Sequence, residues 1–186
     1  MNTAIARRRP LPIAPLAALA LGIEFARIEL ARTPALALPA LLAGGLALCA
    51  LGTGMSPARL GLGWDRLPQR LLGGAALAAI LLLPAAVRWH GGPALAMPWS
   101  VAAVAVSVGE EVAFRGVLFA AIEERFGAGW AVVGTALLWT AAHALSHPPA
   151  FWPVVAALGL LLGLWRWRFH DLVGPIVGHA VADLAL

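Results

Sequence analysis

The stretch Thr33–Ala58, TPALALPALLAGGLALCALGTGMSPA, contains no charged residue, and it decides which solvent this chain folds in. An uncharged apolar run of 18 or more residues reads as a membrane span, because about 20 residues of helix cross the ~30 Å hydrocarbon core. Composition extends that reading to the whole chain. Of its 186 residues 61% are hydrophobic and 12% charged, and the mean hydropathy is +0.87. A soluble domain carries about 25% charged residues. Half that charge does not coat a water-facing surface, which excludes a soluble monomer. The apolar runs are continuous rather than alternating, which excludes a β-barrel.

Outward from this stretch, charges punctuate further runs. Arg7, Arg8 and Arg9 precede Leu11–Ile23, only 13 residues, which fills a span only by carrying Glu24 and Arg27 toward the far interface. A basic stretch before a short apolar one is also how a signal peptide begins, but no small-x-small cleavage site follows, so a retained first helix is expected. Leu71–Val87, Met97–Ile122, Gly127–Leu145, Phe151–Trp165 and Leu172–Leu186 complete the series. The expectation is an all-α polytopic transmembrane helix bundle of six or seven spans. Residues 1–96 form about three N-terminal spans, and residues 97–186 carry the polar residues of interest.

All 13 basic residues are arginine. In this arrangement nine lie in the N-terminal tail and the loops on its side, and three (Arg27, Arg32 and Arg88) lie on the other. The positive-inside rule then places the N-terminus in the cytoplasm. The arginines are scattered singly between apolar runs, whereas a nucleic-acid footprint clusters them on one face, so no nucleic acid is expected as partner. Seven of the eight tryptophans (Trp64, Trp89, Trp99, Trp130, Trp152, Trp165 and Trp167) fall near run ends, as an interfacial belt does. Cys49 is the only cysteine, inside an apolar run, which leaves no disulfide framework and no cysteine metal site. Gly44-Gly45 and Gly159-x-x-x-Gly163 permit close helix packing, equally within one bundle or between copies, and do not set an oligomeric state.

Ionisable side chains cost about 2.5–3.5 kcal/mol each at the centre of a membrane helix and mark functional sites by default. Here six fall on three runs: Glu110, Glu111 and Arg115; His143; and His179 with Asp183. A polar cluster that only holds helices together is the plain alternative. Glu111 and Arg115 are i and i+4 with the acid first, the better order for an ion pair, and read as an internal clamp. Glu110 lies about 100° round the helix and is left without that partner. A desolvated carboxyl of that kind suits a general base. His179 and Asp183 are again i and i+4, so the carboxylate fixes the imidazole. Trp139 stands one turn before His143 and walls its ring. His147 has metal-ligand spacing to His143, but it precedes Pro148-Pro149 and is read as interfacial, and His90 and His170 as solvated.

The series Glu110-Glu111-Val-Ala-Phe-Arg115-Gly, Trp139-x-x-x-His143 and His179-x-x-x-Asp183 resembles the CAAX-protease and bacteriocin-processing (Abi) family of intramembrane endopeptidases over roughly residues 97–186. Trp139 stands where that family usually has phenylalanine, and the last motif ends in aspartate rather than asparagine. The resemblance implies peptide-bond hydrolysis in or near the membrane, with Glu110 and His143 activating a water. It assigns the scissile carbonyl and its oxyanion to His179 and Asp183, with Glu111, Arg115 and Trp139 in support. The implied partners are the lipid bilayer and a membrane-anchored protein or peptide, processed at a leader or C-terminal anchor. The compact chain points to the inner membrane of a bacterial cell.

No H-E-x-x-H helix, Gly-x-Ser-x-Gly setting or paired aspartyl motif competes. No cofactor is expected. A divalent metal such as zinc held by Glu110, His143 and His179 is the minority alternative. Two other classes use the same residues: an immunity-type or scaffold protein with this fold, and a proton-coupled carrier, though a carrier normally shows a repeat or paired broken helices.

Overall fold

The computed structural model describes residues 11–83 and 95–185. Among them every regular element is helical: α1 (Ile13–Ala31), α2 (Pro34–Ala50), the single turn α3 (Pro57–Leu60), α4 (Leu67–Leu81), α5 (Met97–Glu110), a π-helical segment (Glu111–Leu118), α6 (Phe119–Phe126), α7 (Ala128–Ala142), α8 (Trp152–Phe169) and α9 (Val173–Ala185). Prolines start these helices where a missing N–H costs nothing, at the first or second position of α2, α3, α4, α5 and α8. Gly127, at φ 88°, makes the tight reversal between α6 and α7.

Polarity is distributed inside out. Large apolar side chains such as Leu46, Leu72, Val101, Leu137 and Leu164 face outward, while Glu24, Glu110, Glu111, Arg115, Arg166, Asp171 and His179 are buried. A protein in water does the opposite with its charges. A bundle whose outer solvent is lipid places ionisable groups where they can pair.

Two helical stretches have both the length and the apolarity of a span, Ala128–Leu145 and Pro149–Phe169; Pro34–Ala50, Leu67–Leu81 and Val173–Ala185 are apolar but shorter. The expected six or seven spans are therefore not fixed by apolar length. The reason lies in the site: α1 carries Glu24, Arg27 and Glu29, and the continuous helix Met97–Phe126 carries Glu110, Glu111 and Arg115. The uncharged run that extended to Ala58 stops being a long helix at Ala50. Turns follow to Ser56, whose side chain accepts from Arg59 N and starts α3. Residues 84–87 of the third run, Arg7–Arg9, Arg88, Trp89, His90 and Leu186 lie outside the described residues.

Helix pairs α4–α9, α2–α5, α7–α8, α1–α2 and α6–α7 form the bundle. The closest approach is between α2 and α5. A Cβ on Gly45 would sit 2.5 Å from the Ala105 carbonyl oxygen, so these two backbones touch. Gly159 lies against Ala136 and Trp139, and Gly163 against Val132. Both small-residue motifs are thus used inside one chain.

One end of the bundle collects the arginine-rich turns. Arg59 pairs with Glu124, Arg166 donates to the Arg59 carbonyl, and Arg70 bridges Asp65 and Asp171. Asp171 in turn accepts from Val173 N and Gly174 N and caps α9.

Candidate active site

The motif Glu110-Glu111-Val-Ala-Phe-Arg115 straddles the junction where α5 changes from α to π winding. Wider i→i+5 bonding inserts extra residues into a helix and re-aims its side chains, and such segments recur at functional sites. All eight residues of the π segment are buried. Nothing in the local sequence distinguishes it from ordinary helix. Its position beneath α7, α8 and α9 is what the fold adds.

Glu111 is the hub of one half of the site. Its Oε1 accepts from Arg115 Nη1 at 3.0 Å and faces His179 Nδ1 at 2.9 Å. Arg115 is fully buried, donates from Nη2 to the Gly159 carbonyl at 3.3 Å and lies 4.5 Å from the Trp139 ring centroid. The expected clamp between Glu111 and Arg115 is present and ties α8 to the π segment. On the other side of His179, Nε2 is 3.5 Å from Asp183 Oδ2, which also accepts from Ser107 Oγ at 2.7 Å. The imidazole stands between two carboxylates, an arrangement that asks for a hydrogen on each ring nitrogen.

Glu110 is the hub of the other half, and here the sequence reading needs correcting. Helix geometry predicts a carboxyl without a partner. Instead its Oε1 accepts from Arg27 Nη2 of α1, and its Oε2 accepts from Trp139 Nε1 at 2.6 Å. Arg27 also holds Glu24 through the same nitrogen. Glu24 and Arg27 are therefore not at the far interface: Glu24 is fully buried and Arg27 points into the site. They stand three residues apart inside the first apolar run, a signal that charged residues at a run end masked. The sequence carries no signal for Ser107, because a serine hydroxyl within reach of the carbonyl four residues earlier, as Ser107 Oγ is 2.8 Å from Ala103 O, is ordinary in a helix, and only the fold offers it Asp183 as the alternative acceptor.

His143 closes the Glu110 half. Its Nδ1 lies 2.8 Å from the Trp139 carbonyl oxygen, which calls for the hydrogen on Nδ1 and leaves Nε2 as acceptor. That Nε2 is 4.0 Å from Glu110 Oε2. Trp139 walls the ring edge-on, with centroids 4.4 Å apart, and meets His179 at 5.5 Å. All seven residues singled out by sequence thus fall in one connected cluster. His147 sits beyond it on the connecting turn, its ring 5.3 Å from that of His143 and stacked on Phe151. Burial, reinforced by His143, pushes the His147 imidazole below the usual histidine range. His170 is exposed past the end of α8.

A divalent cation at Glu110 would have to compete with the donors already held there. Both Glu110 oxygens already accept from Arg27 and Trp139, and both His179 nitrogens face carboxylates. A guanidinium bonded to the central carboxylate repels a cation there. Among the described residues no three His, Cys, Asp or Glu side chains are disposed around a common point for a metal.

Residues 92–185, half of the chain, match the family described as type II CAAX prenyl endopeptidase Rce1-like. No curated protein and no solved structure matches. The matched stretch includes every site residue except Glu24 and Arg27, which lie on α1.

Proposed function

The chain belongs to this Rce1-like family of membrane-embedded CAAX-type proteases, and on that premise we propose that it is a glutamate-dependent intramembrane endopeptidase acting on a membrane-anchored protein or peptide. The observation that carries the mechanism is the 4.0 Å separation of Glu110 Oε2 from His143 Nε2, both of them acceptors. A water about 2.8 Å from each subtends an angle of about 90° at its oxygen. Its two hydrogens point at the two acceptors, and a lone pair is left for the scissile carbonyl.

In the forward step Glu110 takes one proton as the water oxygen bonds to the carbonyl carbon. Negative charge develops on the carbonyl oxygen, and the donor proposed for it is His179 Nε2–H, which turns to it from Asp183 Oδ2 at 3.5 Å. Glu111 on Nδ1 and Asp183 beside Nε2 orient that ring. Collapse of the tetrahedral intermediate breaks the C–N bond, and the proton on Glu110 passes to the departing amine. One water is consumed; the new carboxyl group passes its remaining proton by way of His143 Nε2 to the amine, and a carboxylate and an ammonium leave. No step uses a metal or cofactor.

The arginine-rich end is assigned to the cytoplasm, which puts the N-terminus there too. The substrate class is a leader or C-terminal anchor held in the bilayer, and the setting is a bacterial inner membrane. The test compares peptide termini in membrane fractions from cells carrying the wild type or Glu110→Ala at matched expression. Termini that vanish with the variant identify the substrate and the cut together. Identical termini in both, with a phenotype that both proteins rescue, would refute proteolysis and favour an immunity-type role.

A further inference from the structure

The first helix supplies something that the family-matched half does not contain. Arg27 reaches from α1 to Glu110 Oε1 and is anchored behind by Glu24, so one guanidinium serves two carboxylates from different helices. Its route is built. A Cβ placed on Gly44 would lie 2.7 Å from Arg27 Cβ and 2.8 Å from its Cδ, so only glycine at that position of α2 lets the arginine stem pass. The anchor costs stability, since Glu24 is fully buried, and its Oε1 and Arg27 Nε are buried without a hydrogen-bond partner. A helix whose only task is to pack does not need a buried acid and base. Incompletely satisfied buried polar groups ask for a functional explanation.

We infer that Arg27 is a positioning residue for the hydrolytic reaction, held by Glu24 and admitted by Gly44, and that it fixes the Glu110 carboxylate so that Oε2 is presented to the water between Glu110 and His143. This rests on Glu110 being the base. With Oε1 tied to Arg27 and Oε2 tied on one side to Trp139, the carboxylate has one rotational setting, and the remaining lone pair of Oε2 faces His143. Without Arg27 the carboxylate turns about its last side-chain bond, and the attack geometry is lost while the substrate-binding surface is unchanged. A misplacement of about 1 Å at a reacting group costs on the order of 10²-fold in rate.

The experiment uses full-length protein in detergent and an internally quenched peptide carrying a farnesylated cysteine three residues from its carboxyl end. Arg27→Met is expected to lower kcat about 100-fold with KM within about twofold. Arg27→Lys, which keeps a point charge, restores most of that loss. Gly44→Ala, which leaves Arg27 in place but displaces its stem, lowers kcat in the same direction. In a Glu110→Gln background Arg27→Met has no further effect on the residual rate.

Activity of Arg27→Met within about threefold of wild type, or a loss that follows the amount of folded protein, overturns the inference. If the wild type itself does not cleave the peptide, the proposed activity on that substrate class is what fails. The Arg27–Glu110 link is then decided by melting temperatures of the two single variants and the double variant. Non-additive shifts support it, and additive shifts overturn it.

Discussion

Replacing Arg115 by methionine separates the structural half of the site from the reacting half. The side chain is fully buried, and its removal withdraws the 3.0 Å donor from Glu111 Oε1, the donor to the Gly159 carbonyl and the cation against the Trp139 ring. Truncating one partner of a buried ion pair costs about 3–5 kcal/mol, because the other charge is left in low dielectric. Total stability is typically about 5–15 kcal/mol, so this is a large fraction of it. At this chain length about 1 kcal/mol moves Tm by 2–4 °C, which gives an expected drop of roughly 6–20 °C. The assay is the monodisperse fraction surviving stepwise heating in detergent, read beside the abundance of the protein in membranes. Glu110→Gln is the internal comparison. It keeps the shape and one acceptor oxygen, which serves Arg27 or Trp139 but not both, and it leaves Arg27 paired with Glu24, so its Tm is expected to fall by less than that of Arg115→Met. An Arg115→Met protein that melts with the wild type yet has lost activity would refute the division into clamp and base.

Other outcomes follow from the same geometry. With Glu110 as the proposed base, Glu110→Gln is expected to lower kcat about 10²–10⁴-fold in single-turnover assays with normal membrane insertion. Trp139→Phe removes the indole N–H from Glu110 Oε2 while keeping the wall of the pocket, and lowers kcat about tenfold, equivalent to 1.4 kcal/mol, without unfolding. Gly45→Ala forces α2 away from Ala105 and costs about 1–3 kcal/mol, seen as a lower Tm. Dialysis against a strong chelator leaves turnover unchanged, and loss of activity restored by one equivalent of zinc would reverse the metal-free mechanism. His147 titrates below the usual histidine range, so its contribution to stability is complete above about pH 6.5 and is lost as pH falls toward the folded-state value. Tm against pH in wild type and His147→Gln checks the sign.

Much of the site was legible because charge in an apolar run is conspicuous. Glu111 and Arg115, and His179 and Asp183, are one helical turn apart, so their pairing follows from helix geometry alone. The rest required contacts between helices. Glu110 had no local partner to read, and the two it has come from α1 and α7, 83 and 29 residues away. Glu24 and Arg27 showed charge within the first run, but not its direction. A helix end at an interface and a helix interior facing a site have the same one-dimensional pattern.

The sequence by itself determined the solvent and the helical class, and it singled out seven side chains that the fold gathers into one cluster. Apolar run length and the cost of burying charge are properties of the chain read one residue at a time. Tertiary structure alone decided who touches whom. It wound Glu111–Leu118 as a π segment, seated Arg115 under the Gly159 carbonyl, passed Arg27 over Gly44, and turned Trp139 from a wall into a donor. Those choices depend on distances between segments far apart in the chain. In a bundle held by small residues and buried ion pairs, a shift of about 1 Å exchanges one partner for another.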